Sequence, residues 1–343
     1  MVNSNGKFEI KRPVLVGDTA DIHLQRALTI LRNENINPIV SVELAPQNSG
    51  IFCGREEVIT LLQKILPDSG TEVWSLDEGE AVDANEVAFT IKAPYGSIGL
   101  YETAIRGMLA SYTGWATAAK ECVDAADPTK VVGYGASYIH PGVAAELDYA
   151  CIVAGCISCS TTLGARLASI HPMGSMPPSL LLIIGDTSKA TQLFHKHMTQ
   201  DVRRFALVDV LRDESEDALG VAQVLKEELR GIRIDTPDSR GGLKVDLVKE
   251  IRKRLDLANY KHVEIMVGDN LTPTKIAEFV KAEAPVSLFA IGSYVASAPS
   301  NPYSFDIKEI DGSPVSRRGS VPGMNQVPRL NRVIFSVWNY IYS

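Results

Sequence analysis

Several short stretches hold side chains and glycines at spacings that could do chemistry. GIRIDTPDSRGG puts Asp235 at the tip of an apolar run, behind Arg233, with Ser239 and Arg240 just beyond. A carboxylate there could hold Mg²⁺ or stabilise a developing cation, and an arginine fork suits phosphate or carboxylate. EIMVGDN and LFAIGS close two further runs with Gly268-Asp269-Asn270 and Gly292-Ser293. Small residues expose backbone N–H groups, and a helix start at Thr272-Pro273 adds a positive dipole, so these loops suit a phosphate. The plainer readings are a glycine that only turns the chain, an Asp235 that caps its loop, and an Arg240 paired with Asp238. VVGYGASYIHPG ends in His140, either a catalyst or a capping residue. Asp209 closes FALVDV, ahead of Arg212 and Asp213.

Such loops need a scaffold that gathers them at one end of a sheet. From about residue 115, short apolar runs alternate with amphipathic helical stretches. The runs are Val131-Val132, Ala150 to Gly155, Phe205 to Val210, Ile232 to Ile234, Val263 to Val267 and Leu288 to Ile291. Between them lie EDALGVAQVLKEELRG, VDLVKEIRKRLD and TPTKIAEFVKAEA. The last opens on Thr272 as N-cap with Pro273 in the first turn. Apolar strands separated by helices predict a parallel sheet with helical cover. About six in series predict a closed or nearly closed β/α barrel, with an open doubly wound sheet as the alternative. In a barrel the active site lies at the C-terminal ends of the strands, where the stretches above fall.

The expected domains are 1–114, an α/β sandwich; 115–298, the barrel; and 299–343, strands that pack back on the first domain or on a subunit interface. In the first, SVELAP and FTIKAPYG read as strands, and TADIHLQRALTILRNEN and REEVITLLQKIL as helices. FDIKEIDGSPV predicts a hairpin at Asp311-Gly312. SNPYS, near residue 302, is the linker candidate, and the apolar RVIFSVWNYIYS is expected to pack on protein.

The 343 residues are 45% hydrophobic and 22% charged, ample for a core, with a net charge of −7. That balance lacks the clustered basic excess of a nucleic-acid binder. Arg203-Arg204 and Arg317-Arg318 read as solvated faces or anion contacts. No apolar stretch reaches the roughly 18–20 residues a membrane span needs, and no apolar signal core opens the chain, so a cytoplasmic protein is expected. Cys53, Cys122, Cys151, Cys156 and Cys159 read as buried core rather than a metal site, since CISC has no second pair. No P-loop, GxGxxG after a first strand, GxSxG or HExxH is present, against NTPase, Rossmann dehydrogenase, esterase and zincin readings.

The order of motifs resembles the nicotinate phosphoribosyltransferase family of type II phosphoribosyltransferases. GIFCGREEV is similar to its Gly-hydrophobe-Phe-Ala-Gly…Glu-Val segment, and APYGSIGLYETAIRGMLA to its Pro-Tyr…Tyr-Glu-Thr-Ala-Ile entry to the barrel. GYGASYIHP stands where the family has Phe-Gly-x-Arg-Arg-x-His-Pro, and HPMGSMPPSLLLIIGD resembles its Gly-Thr-Met-Pro-His segment. GIRIDTPDSRGG is similar to its Arg-Leu-Asp-Thr/Ser…Arg-Gly loop; VGDNL and AIGSY lie where it has Ser-Gly-Gly-Leu and Gly-Val-Gly-Thr. The resemblance runs from about Asp18 to about Gly323 and rests on the order, since no single motif is specific.

It implies an α/β fold: an irregular β/α barrel plus an N-terminal α/β sandwich completed by C-terminal strands. It implies a homodimer or higher oligomer with shared active sites. The reaction it implies joins phosphoribosyl pyrophosphate (PRPP), carried with Mg²⁺, to a pyridine base in NAD synthesis. Asp235, His140 and Asp209 then take catalytic positions. Ser137, Tyr138, Thr162, Arg233, Ser239, Arg240, Gly268, Asp269, Asn270, Gly292 and Ser293 take substrate-binding ones. The chain departs from the pattern at Ser137-Tyr138, where paired arginines stand, and at Asp269, where a glycine stands. Pro178 replaces the histidine that couples ATP hydrolysis, and no tyrosine stands near Ile22-His23, so turnover without ATP stimulation is expected. A quinolinate-type decarboxylating transferase and a non-catalytic homologue that binds a nucleotide or partner are the alternatives.

Overall fold

The computed structural model describes residues 7–268 and 270–335; Asp269 and residues 336–343 of the apolar tail lie outside them. The chain divides into two units, residues 1–117 with 299–343, and residues 118–298.

The first unit is built on an antiparallel six-stranded sheet. Its order is Ser313–Pro314, Asp306–Ile310, Ile39–Leu44, Phe89–Pro94, Glu72–Ser75, Asn331–Arg332. SVELAP and FTIKAPYG supply the two central strands. Helix Arg55–Ile65 packs Val58, Leu61 and Leu62 into a core with Val42, Leu44, Phe89 and Ile91. Each such side chain contributes about 1.5–3 kcal/mol by burial. The hairpin at Asp311-Gly312 turns through two left-handed residues, φ 49° and 78°, as a two-residue type I′ loop requires.

The second unit is the β/α part. Its strands are β1 (Lys130–Gly133), β2 (Ser158–Cys159), β3 (Phe205–Leu207), β4 (Gly231–Ile234), β5 (Glu264–Val267) and β6 (Leu288–Ile291). All pair in parallel, in the order β2-β1-β6-β5-β4-β3. The last strand therefore pairs with the first, as in a barrel, and the sheet is open at one seam, between β2 and β3. Its longer helices are α1 (Ala144–Val153), α2 (Thr162–Leu167), α3 (Pro178–Ile184), α4 (Thr187–His197), α5 (Glu214–Leu225), α6 (Val245–Leu257) and α7 (Pro273–Lys281), and a single turn, Ser293–Ala296, follows β6. Local chemistry fixes their starts. The Thr272 hydroxyl accepts from Lys275 N–H at 3.2 Å, with Pro273 behind it, and Asp186 and Asp213 cap α4 and α5 through carboxylates.

Three expectations are corrected. Ala150 to Gly155 belongs to α1 and its C-terminal turn, not to a strand, and β2 shrinks to Ser158–Cys159. That helix is buried nearly all round, from Ala144 to Cys151, so it shows no amphipathic period and reads like a buried strand. SNPYS is no linker. Tyr303 is buried and meets Thr113 Oγ1 at 3.1 Å, and Asn301 donates to Asn48 O at 2.7 Å. Arg204 is buried rather than solvated. Its guanidinium donates to the carbonyls of Thr199, Met198 and His195 and closes the end of α4. Arg240, for which pairing with Asp238 was the plainer alternative, bonds Glu214 and Arg212 O.

Candidate active site

Strand alternation places the site. Val132, Phe205, Met266, Leu288 and Ala290 form one cluster inside the curl of the second sheet. Successive side chains alternate faces, so the same face continues two residues further along each strand. From β1 that step reaches Tyr134, from β3 Asp209, from β5 Gly268 and from β6 Gly292. On β4, Arg233 pairs across from Met266 and Leu207, so Arg233 and Asp235 share that face too. The ladder carries the backbone into register: Tyr134 N–H donates to Ile291 O at 2.6 Å, Val208 N–H to Arg233 O at 3.2 Å, and Gly268 N–H to Ile234 O at 2.9 Å.

The side chains there form one connected group. Arg233 makes an ion pair with Asp235 through Nη2, and its guanidinium carbon lies 5.0 Å from the centre of the Tyr134 ring. Its Nη1 donates to Ser175 Oγ at 3.4 Å, and its Nε is buried with no protein partner among the described residues. The Asp235 N–H donates to the Asp209 carboxylate. Burial, reinforced by the charge of Asp235, pushes the Asp209 carboxyl up to about 6. Burial pushes the Tyr134 hydroxyl up to about 12, and that oxygen too lacks a protein partner among the described residues. Gly268 lets the ion pair lie against the backbone: a Cβ would sit 3.2 Å from Asp235 Oδ1 and 3.4 Å from Arg233 Nη2. At Gly292 a Cβ would meet the Tyr134 carbonyl oxygen at 2.6 Å and the Tyr138 ring at 3.0 Å.

The other expected residues fall around this group. The Ser293 hydroxyl bonds Asn270 Oδ1 at 3.1 Å, and Asn270 sits in the left-handed region at φ 46°. Arg240 and Ser239 lie on the short turn Asp238–Arg240 after β4, where Arg240 pairs with buried Glu214 at 3.4 Å. Tyr138 is 56% exposed, and Ser137 beside it is exposed. His140 is exposed and its Nδ1 accepts from Gly142 N–H at 3.0 Å, which is the capping reading. Thr162 is the exposed first residue of α2, and the cap of that helix is its neighbour Thr161, held by the buried Asp148. Asp269 lies outside the described residues. Tyr134, Ser175 and Glu214 join the site without having been singled out. Tyr134 was legible, since it is two residues past Val132 on an alternating strand; Ser175 and Glu214 are brought in by tertiary contacts that no spacing announces.

The chain matches family models described as the quinolinate phosphoribosyl transferase N-terminal domain over residues 21–113 and C-terminal domain over residues 115–306. The chain belongs to the quinolinate phosphoribosyl transferase family. Among curated proteins it is similar to nicotinate phosphoribosyltransferase pncB2 of Mycobacterium tuberculosis, 27% identical over 274 residues, 75% of this chain and 57% of that protein. It is also similar to nicotinate phosphoribosyltransferase of Bacillus subtilis, 23% identical over 273 residues, with 75% and 55% covered. The chain thus spans little more than half the length of these relatives. Among solved structures it is similar to the nicotinate-nucleotide pyrophosphorylase of Pyrococcus furiosus, at TM-score 0.85 and 32% identity over 95% of this chain and 85% of that one. Human nicotinic acid phosphoribosyltransferase shares the fold, at TM-score 0.70 and 16% identity over 89% of this chain and 77% of that one. The resemblance read from the motifs is therefore met as a divergent member of this type II phosphoribosyltransferase group.

Proposed function

We propose that the strand-end group is the catalytic centre of a phosphoribosyltransferase that moves the phosphoribosyl group of PRPP onto the ring nitrogen of a pyridine base, nicotinate or a relative, in NAD synthesis. The observation that carries this reading is Arg233, held between Asp235 and Tyr134 beside Asp209, at the strand ends of a chain in this family. In the transfer, the bond from the anomeric carbon to pyrophosphate breaks and its electron pair leaves with pyrophosphate. The pyridine nitrogen supplies the pair for the new C–N bond.

The transition state resembles an oxocarbenium ion, so a fixed carboxylate near it lowers the barrier. Asp235 takes that place or holds the ribose hydroxyls, its backbone fixed by Asp209. Arg233 offers its unpartnered Nε–H to the carboxylate of the base. Gly268, Asn270, Gly292 and Ser293 cradle the 5′-phosphate, with Asp269 in the same loop, and Arg240 and Ser239 meet pyrophosphate. Ser137, Tyr138, Thr162 and His140 lie on the base side.

Mg²⁺ fits as an ion carried by PRPP, since it is commonly held by one or two carboxylates plus substrate phosphates. Asp209 and Asp235 are two such carboxylates. No group of three or more His, Cys, Asp or Glu among the described residues could hold a metal, so phosphate oxygens and water would supply the other ligands. Once bound it would neutralise the departing pyrophosphate. The working form is a cytoplasmic homodimer or larger homo-oligomer without ATP coupling, given Pro178.

A quinolinate-type transferase is the second reading, supported by the family models that the chain matches. The single guanidinium of the group, already paired with Asp235, favours a base with one carboxylate. Calorimetry with PRPP, with and without Mg²⁺, tests the proposal. Mg²⁺-dependent binding that Asp235→Asn weakens supports it; no PRPP binding in either condition contradicts it.

A further inference from the structure

The loop after β4 carries Asp235, Thr236, Ser239 and Arg240, and most of its anchors come from one place, the connection between β3 and α5. Asp209 accepts from Asp235 N–H. Arg212 O accepts from Arg240 Nη1 at 3.4 Å. Glu214, the first residue of α5, does the rest. Its Oε1 accepts from the Thr236 hydroxyl at 2.9 Å and its Oε2 from Arg240 Nη2 at 3.4 Å. Glu214 and Thr236 are each only 3% exposed, whereas the Arg240 side chain is 46% exposed. A buried carboxylate is tolerated only when paired, and the helix N-terminus and Arg240 provide that. Both of its oxygens are committed to the loop, and neither to the protein core.

Just past Arg240 the loop turns through Gly241 and Gly242, both left-handed at φ 97° and 68°. Both glycine N–H groups bond within the loop, Gly241 to Asp238 O at 2.9 Å and Gly242 to Pro237 O at 3.1 Å; these hold the turn's shape, and the side-chain bonds to Glu214 hold the turn in place. The geometry points to Glu214 as a positioning residue: one carboxylate sets two substrate contacts at once, Asp235 through the adjacent Thr236 and Arg240 directly. This rests on the phosphoribosyl-transfer reading for what those contacts bind, but the anchoring itself is independent of it.

The full-length protein with Glu214→Gln and Glu214→Ala tests this by two readouts. Gln keeps an oxygen for Thr236 but turns an N–H₂ toward Arg240. It is expected to raise KM for PRPP by about ten- to a hundredfold, the worth of one charge-assisted hydrogen bond, with kcat nearly kept. Ala frees Thr236 as well and is expected to lower kcat in addition. Hydrogen–deuterium exchange is read on the same proteins without substrate. Amides of residues 236–243 are expected to exchange about tenfold faster in both variants, with β4 unchanged. If the wild type makes no mononucleotide, the transfer reading fails and the exchange result alone decides the anchoring. A lower melting temperature with wild-type KM, kcat and loop exchange would overturn the inference. Should the Glu214 variants not fold, Thr236→Val and Arg240→Met are put through the same two readouts. They separate the halves: loop exchange rises in each, PRPP KM rises with Arg240→Met, and kcat falls with Thr236→Val. Unchanged values in both would overturn it equally.

Discussion

Replacing Tyr134 by phenylalanine removes one buried oxygen and nothing else from the site. That hydroxyl has no protein partner among the described residues and is neutral at pH 7, since burial pushes it up to about 12. A buried polar group without a partner costs about 1–3 kcal/mol. The ring that faces Arg233 at 5.0 Å is kept, and a phenylalanine face holds a guanidinium nearly as well. Tyr134→Phe is therefore expected to stabilise the free protein by about 1 kcal/mol or more. The unit it lies in spans residues 118–298, a size at which 1 kcal/mol moves the melting point by about 2–4 °C. Differential scanning calorimetry without ligand gives the number. In the liganded state the sign is expected to reverse: the hydroxyl is free to bond substrate, so PRPP or base raises the melting point of the wild type more than that of the variant. A fall of 2–4 °C in the unliganded variant would refute the reasoning, because it would mean the oxygen already has a partner worth keeping.

The other predictions concern pH, glycine and the departures from the family pattern. Asp209 is raised from 3.8 to about 6, so its stabilising contribution is present below about 3.8 and lost as pH rises through about 6. Glu78, raised by burial to about 7, acts in the same sense, so the difference in melting point between wild type and Asp209→Asn across pH 4–7 isolates Asp209; parallel curves would contradict the assignment. Gly292→Ala forces a Cβ against a backbone oxygen at 2.6 Å and should cost about 1–3 kcal/mol in urea unfolding. Gly268→Ala meets only the flexible ends of Asp235 and Arg233, and should spare stability while lowering kcat; the reverse ranking would count against the geometry. Ser137→Arg with Tyr138→Arg restores the pattern that the motifs resemble, and is expected to raise kcat/KM on nicotinate; no gain would show that these positions do not meet the base.

Much of the barrel was legible because its strands are short, apolar and followed by helices with clear starts, as at Thr272-Pro273. Alternation carries further than the motifs did. Val132 inside places Tyr134 inside, and Phe205 inside places Asp209. What stayed hidden has physical causes. The helix Ala144–Val153 is buried nearly all round, so period could not separate it from a strand. Ser and Pro near residue 302 looked like a linker, yet Asn301 and Tyr303 are buried through contacts with residues about 190 to 250 positions away. Arg204 looked solvated because a pair of arginines usually is, and only the fold shows the carbonyls gathered around it. Glu214 drew no notice as one acid among several at a helix start, and its role depends on which loop folds over it.

The most direct test of the central claim is turnover. The protein is incubated with PRPP, Mg²⁺ and each of a panel of pyridine bases, nicotinate, nicotinamide and quinolinate among them, and the products are read by mass spectrometry. A pyridine mononucleotide formed with one equivalent of pyrophosphate, and abolished by Asp235→Asn, is the result predicted. No mononucleotide from any base in the panel, with the protein folded and PRPP intact, would contradict it.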